Sequence, residues 1–146
     1  MTIRSYVNGK APRFAESEVA PIHLAEIDGR HYYAFAEKQE VPSGGKTAED
    51  ALELIYKHSQ VIRQIKEEAA RRILAIAPQW KQQNALADIY FLGKAETLDE
   101  QQQARLQKAE QLLLEIQDIR LRSDAIEQSL LNGVFVDYLT NLAWEA

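Results

Sequence analysis

The chain has 146 residues, of which 46% are apolar and 27% charged, with a formal net charge of −5 and no cysteine. A chain of that length fits one domain that buries about two-thirds of its unfolded surface, and without cysteine it has no disulfide framework, thiolate metal site or cysteine nucleophile. The six acids and six bases of residues 1–46 cancel, so the acidic excess comes from sixteen acids against eleven bases in residues 47–146, which argues against a phosphate backbone as the main partner.

Residues 1–46 read as a small β region and residues 47–146 as a helical region packed with it as one domain. Asn8-Gly9 and Asp28-Gly29 are dipeptides suited to two-residue hairpin turns, whose central positions need positive φ. The second hairpin is the better formed. Ile22–Ile27 precede the turn and Arg30–Phe35 follow it, so a regular register sets Leu24 opposite Tyr33 and Ile22 opposite Phe35 on one face. That register places His23 and His31 on opposite faces. Pro12 interrupts the strand that would return from Asn8-Gly9.

Pro42-Ser43-Gly44-Gly45-Lys46 reads as a loop, and Thr47 as the N-cap of a helix with Glu49 and Asp50 in its first turn. The run from Ala48 to Ile76 has no Gly or Pro, and Leu52, Ile55, Ser59, Ile62, Lys66, Ala69, Ile73 and Ile76 follow a 3-4 spacing. Ser59 and Lys66 are its two polar exceptions. Tyr56, Val61 and Ile65 widen the stripe, which leaves room for a second copy of the chain on that helix.

Pro78 ends or kinks the helix at Ala77. A shorter helix is expected from Gln79 to Leu92, stopped by Gly93. Thr97 and Glu100 have the spacing of a capping box for a third, long helix, which Asn132-Gly133 closes. Val134–Trp144 reads as a docking segment, either a short helix or an extended piece. The expected fold class is mainly α with a small N-terminal β part: a long antiparallel helical hairpin or small bundle plus a β-hairpin.

Chemistry-bearing patterns are sparse. Gly44-Gly45-Lys46-Thr47 has the ending of a phosphate-binding loop, but the position of that loop's first glycine is Glu40. His23, His31 and His58 lack the i, i+4 spacing of a helical metal pair. Adjacent acids such as Glu67-Glu68 and Asp99-Glu100 diverge by about 100° around a helix. Arg63, Lys66, Arg71 and Arg72 form a basic patch broken by Glu67 and Glu68, without the aromatics of a nucleic-acid groove. No catalytic, cofactor-binding or metal residue is assigned, and no cofactor is expected.

The corner Ala77-Pro78-Gln79-Trp80-Lys81-Gln82-Gln83-Asn84 is the most distinctive stretch. Trp80 is expected to be buried as the anchor of the turn, with Asn84 at i+4 on the same face. If either residue contacts a partner instead, Trp80 and Asn84 are the two candidates. From about Arg72 to Glu127, with Ile119-Arg120-Leu121-Arg122-Ser123-Asp124-Ala125-Ile126-Glu127 and the late Trp144, the chain resembles the C-terminal region of uncharacterised tail-associated proteins of phages and prophages. The resemblance covers somewhat less than half of the chain and implies a setting rather than a chemistry. It implies a non-enzymatic tail protein, either a structural piece or an assembly factor for tail or tail fibre, with other phage tail proteins as partners. The other reading is a homo-oligomeric helical adaptor; a small enzyme or nucleic-acid-processing factor is the remote one. The first residues lack the apolar run of a signal peptide and no 18 apolar residues run together. Together with the resemblance, this gives the bacterial host cytoplasm or the virion as the expected location, with no membrane and no nucleic-acid partner.

Overall fold

The computed structural model describes residues 1–9, 12 and 20–145, and they divide into two compact units. One comprises residues 1–66 together with the chain from 124 on, and the other comprises residues 67–123. The described strands are β1 (Thr2–Val7), β2 (Ile22–Ile27), β3 (Arg30–Phe35) and the two-residue β4 (Lys46–Thr47), in the antiparallel order β2-β3-β1-β4. The helices are α1 (Leu52–His58), α2 (Gln60–Ile76), α3 (Gln79–Leu92) and α4 (Glu100–Leu131). The fold is mainly α with a small N-terminal β part, and that part is a four-stranded sheet rather than a lone hairpin.

Asp28 and Gly29 both take positive φ, 49° and 77°, and the β2–β3 hairpin turns on them as expected. The expected pairing of Leu24 with Tyr33 and Ile22 with Phe35 does not form. Ala25 pairs with Tyr32, the ladder then shifts, and His23 pairs with Tyr33 and Ile22 with Ala34. A bulge at Leu24 is the physical reason. Strict alternation would divide Ile22 and Leu24 from Ala25 and Ile27. With the bulge, Leu24, Ala25 and Ile27 all join the core and Ile22 packs against it. At about 1.5–3 kcal/mol per buried aliphatic side chain, that outweighs a broken ladder bond.

β1, which leads to Asn8-Gly9, pairs with β3, with Ile3 opposite Ala34 and Tyr6 opposite His31. Most of the strand expected to return from Asn8-Gly9 lies outside the described residues. Ile3, Leu24, Tyr32 and Ala34 on the sheet share their core with Ile55, Ile62 and Leu131 from the helices.

Several helix boundaries differ from the expectation. Thr47 belongs to β4 and caps nothing; helical structure starts with a short turn at Glu49–Ala51 after Ala48. The Glu49 carboxylate instead accepts from the Ile3 amide at 3.0 Å and from Arg4 at 2.6 Å. Burial pushes its pKa up, but these bonds outweigh it and hold the carboxyl below its usual range. The run from Ala48 to Ile76 is not one helix. It breaks at Ser59, whose ψ is 118°, and the Ser59 hydroxyl accepts from the Ile62 amide at 3.3 Å. The first polar exception in the stripe is thus the N-cap of α2. The second, Lys66, places its ammonium 3.0 Å from the carboxylate of Glu127, which is 4% exposed.

Pro78, with ψ 161°, stands before α3, and α2 stops at Ile76. The expected capping box of Thr97 and Glu100 is displaced by two residues. The Gln102 amide donates to Asp99 Oδ1 at 2.7 Å, and the Asp99 amide donates to the Gln102 side chain at 3.0 Å. α4 closes at Gly133 with a Schellman pair: Gly133 N donates to Leu130 O and Val134 N to Ser129 O, both at 2.9 Å.

Candidate functional site

α3 has two apolar faces. Gln82, Ala85, Ile89 and Leu92 fall on one side, where Ala85 is buried and the others are half-buried. Trp80, Asn84, Ala87 and Phe91 lie at i, i+4, i+7 and i+11, within about 60° of one another on the opposite side. All four are exposed: Trp80 by 59% and Phe91 by 69%. Tyr90, exposed by 57%, widens that face on one flank, whereas Leu86, exposed by 55%, lies about 120° from Trp80 and outside it.

The expectation that Trp80 is the buried corner anchor is therefore wrong. Trp80 is the second residue of α3, about 140° away from Ala85 and about 180° away from Ile89 on the helix, so the inward stripe leaves the indole outside. The corner is held without it. Ala77 is buried, and the Gln82 side chain donates to the Ala77 carbonyl at 2.9 Å. The buried tryptophan is Trp144, 8% exposed, whose Nε1 donates to Tyr138 O at 2.7 Å. Its segment docks as expected and includes the short helical turn Asn141–Trp144.

Asn84 does share a face with Trp80, and it lines a shallow groove of about 430 Å³ with Ala87, Asp88, Phe91, Leu92 and Arg105. Arg105 pairs with Asp88. Asp88 is the one acid within α3, so that pairing removes the charge that would disfavour apolar contact. Cations sit at the aromatic rims: Lys94 Nζ lies 3.8 Å from the Tyr90 ring centroid, and Lys81 Nζ 5.5 Å from that of Trp80. Tyr90 and Phe91 meet edge to face at 5.2 Å. Phe91 and Tyr90 were missed by the sequence reasoning, although the i+11 spacing of Phe91 from Trp80 was visible in it.

In the other unit, the bulge in β2 changes the histidine geometry. His23 and His31, expected on opposite faces, lie on the same one, with His23 Nε2 3.1 Å from His31 Nδ1. Asn8 Oδ1 accepts from His31 Nε2, which leaves His31 Nδ1 to accept from His23. Burial, and after it the charge of His31, pushes the His23 pKa below its ordinary value, while Glu26 works against both. His58 lines a groove of about 380 Å³ together with His23 and Glu26. Among the described residues, no three His, Cys, Asp or Glu side chains are arranged to hold a metal ion.

Gly44-Gly45-Lys46-Thr47 leads into β4 and not directly into a helix, and a Cβ on Gly45 would stand 2.7 Å from the Tyr6 ring. The basic patch on α2 is largely engaged: Glu68 receives Arg71 at 2.6 Å and Arg72 at 2.9 Å. The hydrogen bond from Arg71 is the main cause that holds the Glu68 carboxyl below its usual range. Among the described residues, no helix is long and apolar enough to cross a membrane. No protein-family model, curated protein or solved structure matches the chain.

Proposed function

We propose that the chain is a non-enzymatic phage or prophage protein associated with the tail, a structural piece or an assembly factor, that works by protein–protein docking through the outer face of α3. The observation that carries the reading is the exposed aromatic stripe of Trp80 and Phe91, with Asn84 between them, on a helix whose other side already packs inward. Aromatic residues with little charge are the composition of the centre of a protein interface. The stripe also begins inside the Ala77–Asn84 block that resembles tail-associated proteins, which supports the phage setting.

A second apolar surface favours an adaptor with more than one contact. Phe135, Leu139 and Leu142 stand exposed in the segment that Trp144 anchors. One experiment tests the tail reading: purify tails from a host carrying a tagged copy of the gene and identify what accompanies it. Recovery with identified tail proteins, reduced at least tenfold by Trp80→Ala, is the expected result. A deletion strain that yields normal amounts of infectious tails would end the tail reading.

A further inference from the structure

The α3 stripe has an internal symmetry that a heterologous partner would not need. Its centre is the peptide bond between Ala85 and Leu86. Trp80 and Phe91 lie equally far on either side of that bond, and so do Asn84 and Ala87. Large aromatic residues stand at both ends and small ones in the middle. An isologous two-fold interface requires a patch that complements itself.

We infer that the partner of this face is a second copy of the chain, with the two α3 helices packed antiparallel about a two-fold axis at Ala85–Leu86. The pairing sets Trp80 of each copy against Phe91 of the other, at both ends. Asn84 and Ala87 meet at the centre, where small side chains allow the short interaxial distance of about 8–10 Å.

Charge selects the antiparallel direction. Lys94 follows α3 on the stripe's own side, with Nζ over Tyr90. A parallel pair would press Lys94 against Lys94. The antiparallel pair carries Lys94 to the level of the second copy's Ala77–Trp80 corner, where an indole face takes a cation well.

The surface available is sufficient. A fully buried aromatic hides about 150–250 Å². Trp80, Tyr90 and Phe91, 57–69% exposed, therefore each leave roughly 100–150 Å² in water. Two copies offer roughly 600–900 Å² from these rings, and the polar neighbours Gln83, Asn84 and Lys94 bring the interface to about 1,000 Å². A contact at that low end of the size range belongs with weak, reversible associations.

The inference rests on α3 being a docking face and not on the tail assignment, and the test separates the two. Sedimentation of the full chain from about 1 to 200 µM should show a monomer–dimer equilibrium. Ala87→Glu, at the centre of the stripe, should weaken it at least about a hundredfold while circular dichroism and melting stay unchanged. Because the chain has no cysteine, single introduced thiols report the geometry. Across this axis the Ala87 Cα atoms come about 6–7 Å apart, near the window for a disulfide, and the Lys94 positions about 25 Å apart. Ala87→Cys should cross-link under mild oxidation and Lys94→Cys should not. A monomer at every concentration, a dimer indifferent to Ala87→Glu, or cross-linking through Lys94→Cys would each overturn the antiparallel pair. A monomer that still recovers tail proteins through Trp80 removes the pair alone, and a dimer that recovers none removes the tail reading alone.

Discussion

Replacing Trp144 with alanine removes an indole that is 8% exposed and donates to Tyr138 O at 2.7 Å. A tryptophan so placed hides about 200 Å² of mostly apolar surface, worth about 5 kcal/mol at 25 cal/mol per Å². The unfolded chain already hides part of that area and the segment can relax into the gap, so the expected loss is about 3–4 kcal/mol. The docking strength of the segment sets a ceiling. It is held by the Gly133 turn and by the Tyr138 hydroxyl donating to Gln64 at 2.7 Å. Once it lets go, nothing more can be lost from it. Trp80→Ala, at a site 59% exposed, should cost less than about 1 kcal/mol. Urea denaturation followed by far-UV circular dichroism measures both, at about 1 µM protein so that self-association adds no stability. Each variant keeps one tryptophan, so fluorescence supplies a second readout: Trp144 alone should emit to the blue of Trp80 alone and resist quenching by acrylamide. A Trp80→Ala loss above about 2 kcal/mol, or a Trp144→Ala loss below about 1 kcal/mol, would refute the assignment of which indole is structural.

Gly133 has φ +75°, and a Cβ there would stand 2.2 Å from Ala36 N and 2.3 Å from the Phe35 carbonyl carbon. Gly133→Ala should therefore cost at least about 3 kcal/mol in a thermal or urea melt, and a loss within about 0.5 kcal/mol would show that the chain passes Phe35 at a greater distance. Ser59→Ala removes the N-cap of α2 and should cost about 1 kcal/mol, recovered in part by Ser59→Asp; equal stability of all three would mean the Ser59 hydroxyl caps nothing. The folded-state pKa of His23 lies below its ordinary 6.5, so between the two values the unfolded chain binds more protons than the folded one. His23 thus contributes stability that is full above about pH 6.5 and lost as pH falls through that window. His23→Gln should flatten the fall in melting temperature between about pH 7 and 5, and an unchanged slope would remove His23 as its source.

The parts of the fold that were legible in the sequence are those fixed by local backbone chemistry. Asp28-Gly29 supplies the two positive φ values of its turn, Pro78 stops α2, Gly93 follows α3, and Gly133 closes α4 because only its missing Cβ admits Phe35. What was not legible depends on distant neighbours. Nothing local in Ile22–Ile27 says that the strand will bulge at Leu24; the bulge follows from a core that takes Leu24, Ala25 and Ile27 together. The same shift brings His23 to His31, a contact that regular alternation forbids. β1 pairs with β3, which is distant in sequence, and no turn dipeptide encodes that pairing. Ser59 and Lys66 looked like two flaws in one long apolar stripe. They are a helix cap and one half of an ion pair with Glu127, and both functions need residues outside the stripe's spacing.

The candidate site was half legible for a related reason. Spacing put Trp80 and Asn84 on one side of a helix, and the structure keeps them there. Spacing could not say which side faces inward, because α3 has apolar residues on two opposite sides: Ala85, Ile89 and Leu92 on one balance Trp80, Ala87 and Phe91 on the other. The indole and Phe91 remain in water. The contacts show which side turns in. The Gln82 side chain, at the inward position next to the corner, donates to the Ala77 carbonyl, and Ala85 one turn on is buried. The bulky rings are thereby left to the outer face, where leaving roughly 100–150 Å² of each in water costs about 2–4 kcal/mol per ring against burial. On the docking proposed for α3, a protein surface closing over the three rings would recover that cost.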